Sequence, residues 1–190
     1  MRLEELQRYG VCEVFTGRRT ALLLSRLILV ALWGRGGWSL VALMRLRDYF
    51  RINGYRHVAN LLGRRMERRF GCYISPTAHF GLGIKFPHPI GIVIGDGVVV
   101  GQRCTIFQNV TLGAARRGEG ALNCYPQIGD DANVFAGAVV VGKLMIGDHA
   151  TIGANAVVTK DVPPGTTAVG IPARILEDRR TAEHDCHCAD

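Results

Sequence analysis

The 190-residue chain contains no run of 18 apolar residues, the minimum that a bilayer-spanning helix needs. Its longest apolar stretch, "ALLLSRLILVALW" at 21–33, has 13 residues and carries Arg26 in its middle. No cleavable-signal pattern is read at the start. Cysteine is scarce, at six residues, and Cys12, Cys72, Cys104 and Cys124 have neither metal-ligand nor redox spacing. A reduced cytoplasmic setting is the expectation. Acid is scarce in the first third, where residues 1–70 hold five acidic against fourteen basic side chains. Residues 71–190 hold eleven against nine. The net charge of +7 therefore belongs to the N-terminal segment. No nucleic-acid-binding motif accompanies it, and no nucleic-acid partner is expected.

Two periodicities divide what is present. Residues 1–70 read as a basic α-helical region, with apolar residues at three- and four-residue steps over 3–15, 20–33, 38–51 and 55–69. "GRGGW" at 34–38 and "NG" at 53–54 break that pattern. Arg45, Arg47, Arg51, Arg56, Arg64, Arg65, Arg68 and Arg69 crowd the last two segments, with Trp33, Trp38, Tyr49 and Tyr55 before or among them.

From residue 72 a large apolar side chain recurs every sixth position. Ile74, Phe80 and Phe86 fit one register. Ile94, Val100, Ile106 and Leu112 fit a second, after two extra residues. Ile128, Val134, Val140, Ile146, Ile152 and Val158 fit a third, after ten more. Gly often follows the large residue, and a small one often precedes it by two. A six-residue period is the mark of a parallel β-helix with three short strands per coil. Thirteen such positions make about four coils, each rising by roughly 4.8 Å. The fold class is thus mainly β, with a β-helix over 71–176 behind the helical region and a polar tail over 177–190. Cys104 takes a small inward slot and reads as an inert core thiol.

A regular coil cannot absorb extra residues, so they bulge outward. One bulge lies at 87–93 and the other is the protruding loop 113–127, "GAARRGEGALNCYPQ". Functional groups favour irregular segments on a rigid scaffold. The first bulge holds His88, between two prolines in "IKFPHPIGIVIG" (84–95). By itself His88 reads as a core histidine, a metal ligand or a catalytic base.

The hexapeptide coils, "PHPIGIVIG", "CTIFQNVTLG", the protruding loop and the ending "VPPGTTAVGIPARIL" resemble the serine acetyltransferase branch of the hexapeptide acyltransferases, over residues 72–176. The resemblance implies a left-handed β-helix, a homotrimer with active sites between subunits, acetyl-CoA as donor and a hydroxyl as acceptor. It places the catalytic histidine on His88. It places cofactor contacts on Gly113, Ala114, Ala136 and Ala154, where small residues let the pantetheine arm approach, and CoA phosphate contacts on Lys160 and Arg174. No metal is required. The chemistry agrees, since a neutral imidazole can take the proton of an attacking hydroxyl and a backbone N–H can hold the resulting oxyanion.

The departures concern the acceptor. Where the serine enzymes place an aspartate immediately before the histidine, this chain has Pro87. Where they place the aspartate that orients the imidazole, it has Tyr73. Where their loop reads Arg-His-Pro, it reads Cys124-Tyr125-Pro126. Pro87, Tyr73 and Tyr125 are therefore the expected acceptor contacts. This pattern resembles a sub-branch associated with surface-polysaccharide clusters, and a sugar hydroxyl is the expected acceptor, with L-serine as the alternative. Residues 20–70 are expected either to lie on an anionic membrane surface, at its inner face, or to cap the coils and pair trimers. Two further classes compete with an O-acetyltransferase. A metal-dependent lyase of the γ-carbonic-anhydrase kind would need His79 and His149 beside His88. A degenerate, non-catalytic binding module would bind acetyl-CoA without turning it over. "HDCHC" (184–188) reads as a polar tail, with a metal site as the sharper alternative.

Overall fold

A side chain that turns inward every sixth residue allows only very short strands between corners. The computed structural model, which describes residues 28–31, 33–34, 36–116 and 124–176, has strands of two or three residues throughout. Two helices come first, α1 (Gly36–Ile52) and α2 (Arg56–Phe70). Three sheets follow. The first face stacks β1 (Tyr73–Ile74), β3 (Val93–Ile94), β6 (Thr111–Gly113), β9 (Val139–Val141) and β12 (Val157–Val158). The second stacks β2 (His79–Phe80), β4 (Val99–Val100), β7 (Gln127–Ile128) and β10 (Met145–Ile146). The third stacks β5 (Thr105–Ile106), β8 (Asn133–Val134), β11 (Thr151–Ile152), β13 (Thr167–Val169) and β14 (Arg174–Leu176). Every pairing is parallel except β13 with β14. The result is a left-handed, three-sided parallel β-helix with a helical region before it.

The register follows the six-residue repeat. Ile74, Ile94, Leu112, Val140 and Val158 stack inside the first face. Partner residues lie 18 apart where the coil is regular, as in Ile94 and Leu112. They lie 20 apart across the first bulge and 28 apart across the loop. Twelve of the thirteen inward positions are buried, each contributing about 1.5–3 kcal/mol. Phe80 is half-buried, because β2 is the terminal strand of its sheet. Gly113 ends β6 and Gln127 begins β7, so the segment between the strands is shorter than the expected loop 113–127, and residues 117–123 of that loop lie outside the described residues.

The first coil has nothing beneath it, and its outward carbonyls need partners. Helix α1 supplies them. Arg45 Nη2 donates to the Gly81 carbonyl at 2.8 Å, and Arg47 Nη1 to that of Ile74 at 2.5 Å. Leu40, Leu43, Met44 and Leu46 of the same helix are buried against the core. The helix begins at Gly36, inside the expected break "GRGGW". Gly37 is there because the helix passes over the first coil: a Cβ would stand 1.9 Å from the Phe86 carbonyl oxygen. Helix α2 buries only Ala59, Met66 and Phe70, and its arginines are exposed. Segment 3–15 and the tail with "HDCHC" lie outside the described residues, and only the end of segment 20–33 is described. Among the described residues no helix is long and apolar enough to cross a membrane.

Candidate active site

The bulge that carries His88 is held from both sides. Below it, the Gly91 N–H donates to the Phe70 carbonyl (3.2 Å) and the Cys72 thiol to the Pro89 carbonyl (3.4 Å). Above it, the Asn109 N–H donates to the Ile90 carbonyl (2.9 Å). Within it, the Ile90 N–H donates to the His88 carbonyl (2.8 Å). Pro89 and Ile92 are buried, whereas Pro87, His88 and Ile90 are exposed. His88 is thus no core histidine: its backbone is pinned and its imidazole faces out. Among the described residues the imidazole has no hydrogen bond or ion pair, and Tyr73 does not bond to it.

The coils sort the remaining candidates into two columns. Counting two residues past the inward side chain of the third face gives His88, Gln108, Ala136 and Ala154 in successive coils. They share the corner between the third and first faces. Gly113 and Ala114 lie at the other edge of the first face, and Tyr125 enters that corner from the loop, its ring 2.8 Å from where a Cβ on Gly97 would be. The two bulges therefore flank one face and do not meet within a chain. An added Cβ on Gly113 would meet nothing within 4 Å, so nothing described in this chain requires glycine there. Lys160 and Arg174 are exposed beyond β12 and in β14, at the far end of the coils from α1.

Gln108 escapes sequence reasoning, since a glutamine at a coil corner reads as a solvated turn residue. Its Oε1 is in fact buried and has no partner among the described residues. The only hint in the sequence is its place in "CTIFQNVTLG", one coil above His88.

The three expected acceptor contacts lie apart. Pro87 lines an apolar pocket of about 330 Å³ with Gly37, Trp38 and Phe86. Tyr73 stands in a basic cleft between the helices and β1, and Tyr125 is at the opposite corner. The thiols are quiet. Burial pushes Cys72 up, and it pushes Cys104 up to about 11. Among the described residues no three metal-ligating side chains converge. His79 lies in β2, and His149 lies at the corner between the second and third faces with φ +58°. Neither shares the corner of His88.

The coil and its repeat define a hexapeptide-repeat protein. A family model described as bacterial transferase hexapeptide (six repeats) matches residues 125–160. Serine acetyltransferase 3, mitochondrial, of Arabidopsis thaliana is 44% identical over 119 residues, which are 63% of this chain and 30% of that protein. A soybean serine acetyltransferase solved with serine is 31% identical at TM-score 0.67, over 92% of this chain and 69% of that one. A serine acetyltransferase solved with CoA is 29% identical at TM-score 0.70, over 92% and 69%. The chain belongs to the serine acetyltransferase family. The expected closeness to a polysaccharide sub-branch is not supported, because these relatives are named serine acetyltransferases. The chain spans 30, 48 and 57% of the length of three curated relatives it matches.

Proposed function

We propose that the protein is an acetyl-CoA-dependent O-acetyltransferase that acts on L-serine, with His88 as general base. The observation that carries the reading is His88 itself, exposed and unpartnered at the position where the family resemblance puts the catalytic histidine. The names of the relatives support serine over the sugar expected above. The hydroxyl oxygen attacks the thioester carbonyl while His88 takes its proton, and the tetrahedral oxyanion is held by a backbone N–H. Collapse breaks the carbon–sulfur bond, and the CoA thiolate recovers the proton from His88. No covalent enzyme intermediate is needed.

The two columns support a site between subunits. One subunit offers the corner of His88, Ala136 and Ala154, and its neighbour offers the corner of Gly113, Ala114 and Tyr125. A homotrimer closes that groove, with Lys160 and Arg174 toward the CoA phosphates. A sugar hydroxyl is the second reading. It is favoured by the absence, among the described residues, of any carboxylate on His88 and by the uncharged Pro87, Tyr73 and Tyr125.

The test is release of the CoA thiol from acetyl-CoA with L-serine as acceptor, in wild type and His88→Ala. Turnover that falls at least ~10²-fold in the variant, with acetyl-CoA binding kept, is the expected result. Acetyl-CoA binding without turnover on serine would move the acceptor to sugars. Turnover equal in both proteins would remove His88 from the chemistry.

A further inference from the structure

A cleft of about 620 Å³ opens between α1, α2 and β1. Arg47, Arg51, Arg56 and Arg64 line it against a single acid, Glu67. Arg47 is buried and engaged with Asp48 and with the Ile74 and Ser75 carbonyls. Arg51, Arg56 and Arg64 are exposed, and none pairs with a carboxylate among the described residues. No acidic residue in the first turn of α2 offsets Arg56. Three arginines on a convex helix face would be solvated and need no partner. These come from the end of α1, the start of α2 and its middle, and they converge on one concavity whose floor includes Cys72 and Ile74.

The chemistry of the wall selects the ligand. Guanidinium forks pair with phosphate through two parallel N–H···O bonds, and the cleft presents forks alone, with no lysine. Its volume falls in the usual range for a small-molecule site and exceeds what one inorganic phosphate fills. We propose that this cleft binds a diphosphate ester, with Arg51, Arg56 and Arg64 on the phosphates. The proposal does not rest on the acceptor of acetyl transfer. The cleft is at the first-coil end, whereas Lys160 and Arg174 lie beyond the last full coil. A soluble nucleotide-linked group and a lipid-linked one share this diphosphate chemistry.

The full chain is titrated calorimetrically with inorganic pyrophosphate and with ADP, and mixed with phosphatidylcholine vesicles with and without a lipid diphosphate, CDP-diacylglycerol. Pyrophosphate should bind wild type and His88→Ala alike, and ADP should bind more tightly. The Arg51→Gln/Arg56→Gln/Arg64→Gln variant should bind both at least ~10-fold more weakly. The corresponding triple lysine variant, which keeps charge but loses the forks, should fall between the two. If the triple glutamine variant melts lower without ligand, Arg64→Gln alone on exposed α2 is read instead. Pyrophosphate binding with arginine-dependent vesicle binding marks a lipid-borne source, and pyrophosphate binding alone a soluble one; both carry the proposal. Binding unchanged by the substitutions overturns it. So does vesicle binding without pyrophosphate binding, which makes the cleft a membrane surface.

Discussion

Asn109 stands on Gly91: a Cβ on Gly91 would meet the Asn109 Oδ1 at 2.3 Å, and Gly91 itself holds φ +66°. The coil above thus shapes the bulge that presents His88. Gly91→Ala should cost about 1–3 kcal/mol of stability, from left-handed strain and the displaced amide. It should also lower kcat more than it raises the KM for acetyl-CoA. Asn109→Gly in the same chain removes the clash but not the strain, and should restore part of the loss. Thermal melts and steady-state kinetics on wild type and the two variants check both.

Arg47→Met should destabilise the protein by about 2–4 kcal/mol. The substitution uncaps two carbonyls of the first coil and leaves Asp48, only 18% exposed, without its cation. Urea unfolding should show a lower midpoint at an unchanged slope.

Cys104 and Cys72 should resist alkylation in the native protein. Both are fully buried, and Cys104 holds its proton up to a pH of about 11. Thiolate is the reactive form. Peptide mapping after iodoacetamide at pH 8 should find both unlabelled, then labelled in denaturant.

Arg103 and Asp131 link adjacent coils at one corner, with Nε–Oδ1 at 2.7 Å and Nη2–Oδ2 at 2.5 Å. The hydrogen bond from Arg103, then its charge, hold the Asp131 carboxyl below its ordinary range. A folded-state value below the unfolded one means that the pair's stabilisation is full above about pH 4 and fades as pH falls through the depressed value. Asp131→Asn should melt lower than wild type at pH 7. The gap should narrow in melts at pH 2–3, and also in high salt, because the pair is exposed.

The coil was largely legible from the sequence because its signal is local. Ile94, Val134 and Ile152 each occupy the inward slot of their own hexapeptide whatever lies above or below. The helix start was less legible. Gly36 and Gly37 look like a break in isolation; Gly36 opens the helix at φ +62°, and only the Phe86 carbonyl across the interface explains the glycine at 37. His88 was legible as a candidate because a bulge in a regular repeat stands out. Gln108 was not, since its burial depends on the neighbouring coils. The acceptor is not legible in the same way: Pro87, Tyr73 and Tyr125 lack the charge expected of a serine site and point to a sugar, while the relatives carry the serine acetyltransferase name.

The sequence alone therefore determined the three-sided coil, its inward residues and the two places where it is interrupted, because a six-residue period is written in the chain residue by residue. The tertiary structure decided what those interruptions do. Which residues 18, 20 or 28 apart come to lie on one another sets the two corners of the candidate site and puts Asn109 on Gly91. How α1 and α2 close the first coil turns arginines scattered through a basic segment into caps for Ile74 and Gly81 and into one wall of a cleft. Those relations arise from packing between segments distant in sequence, and no local pattern encodes them.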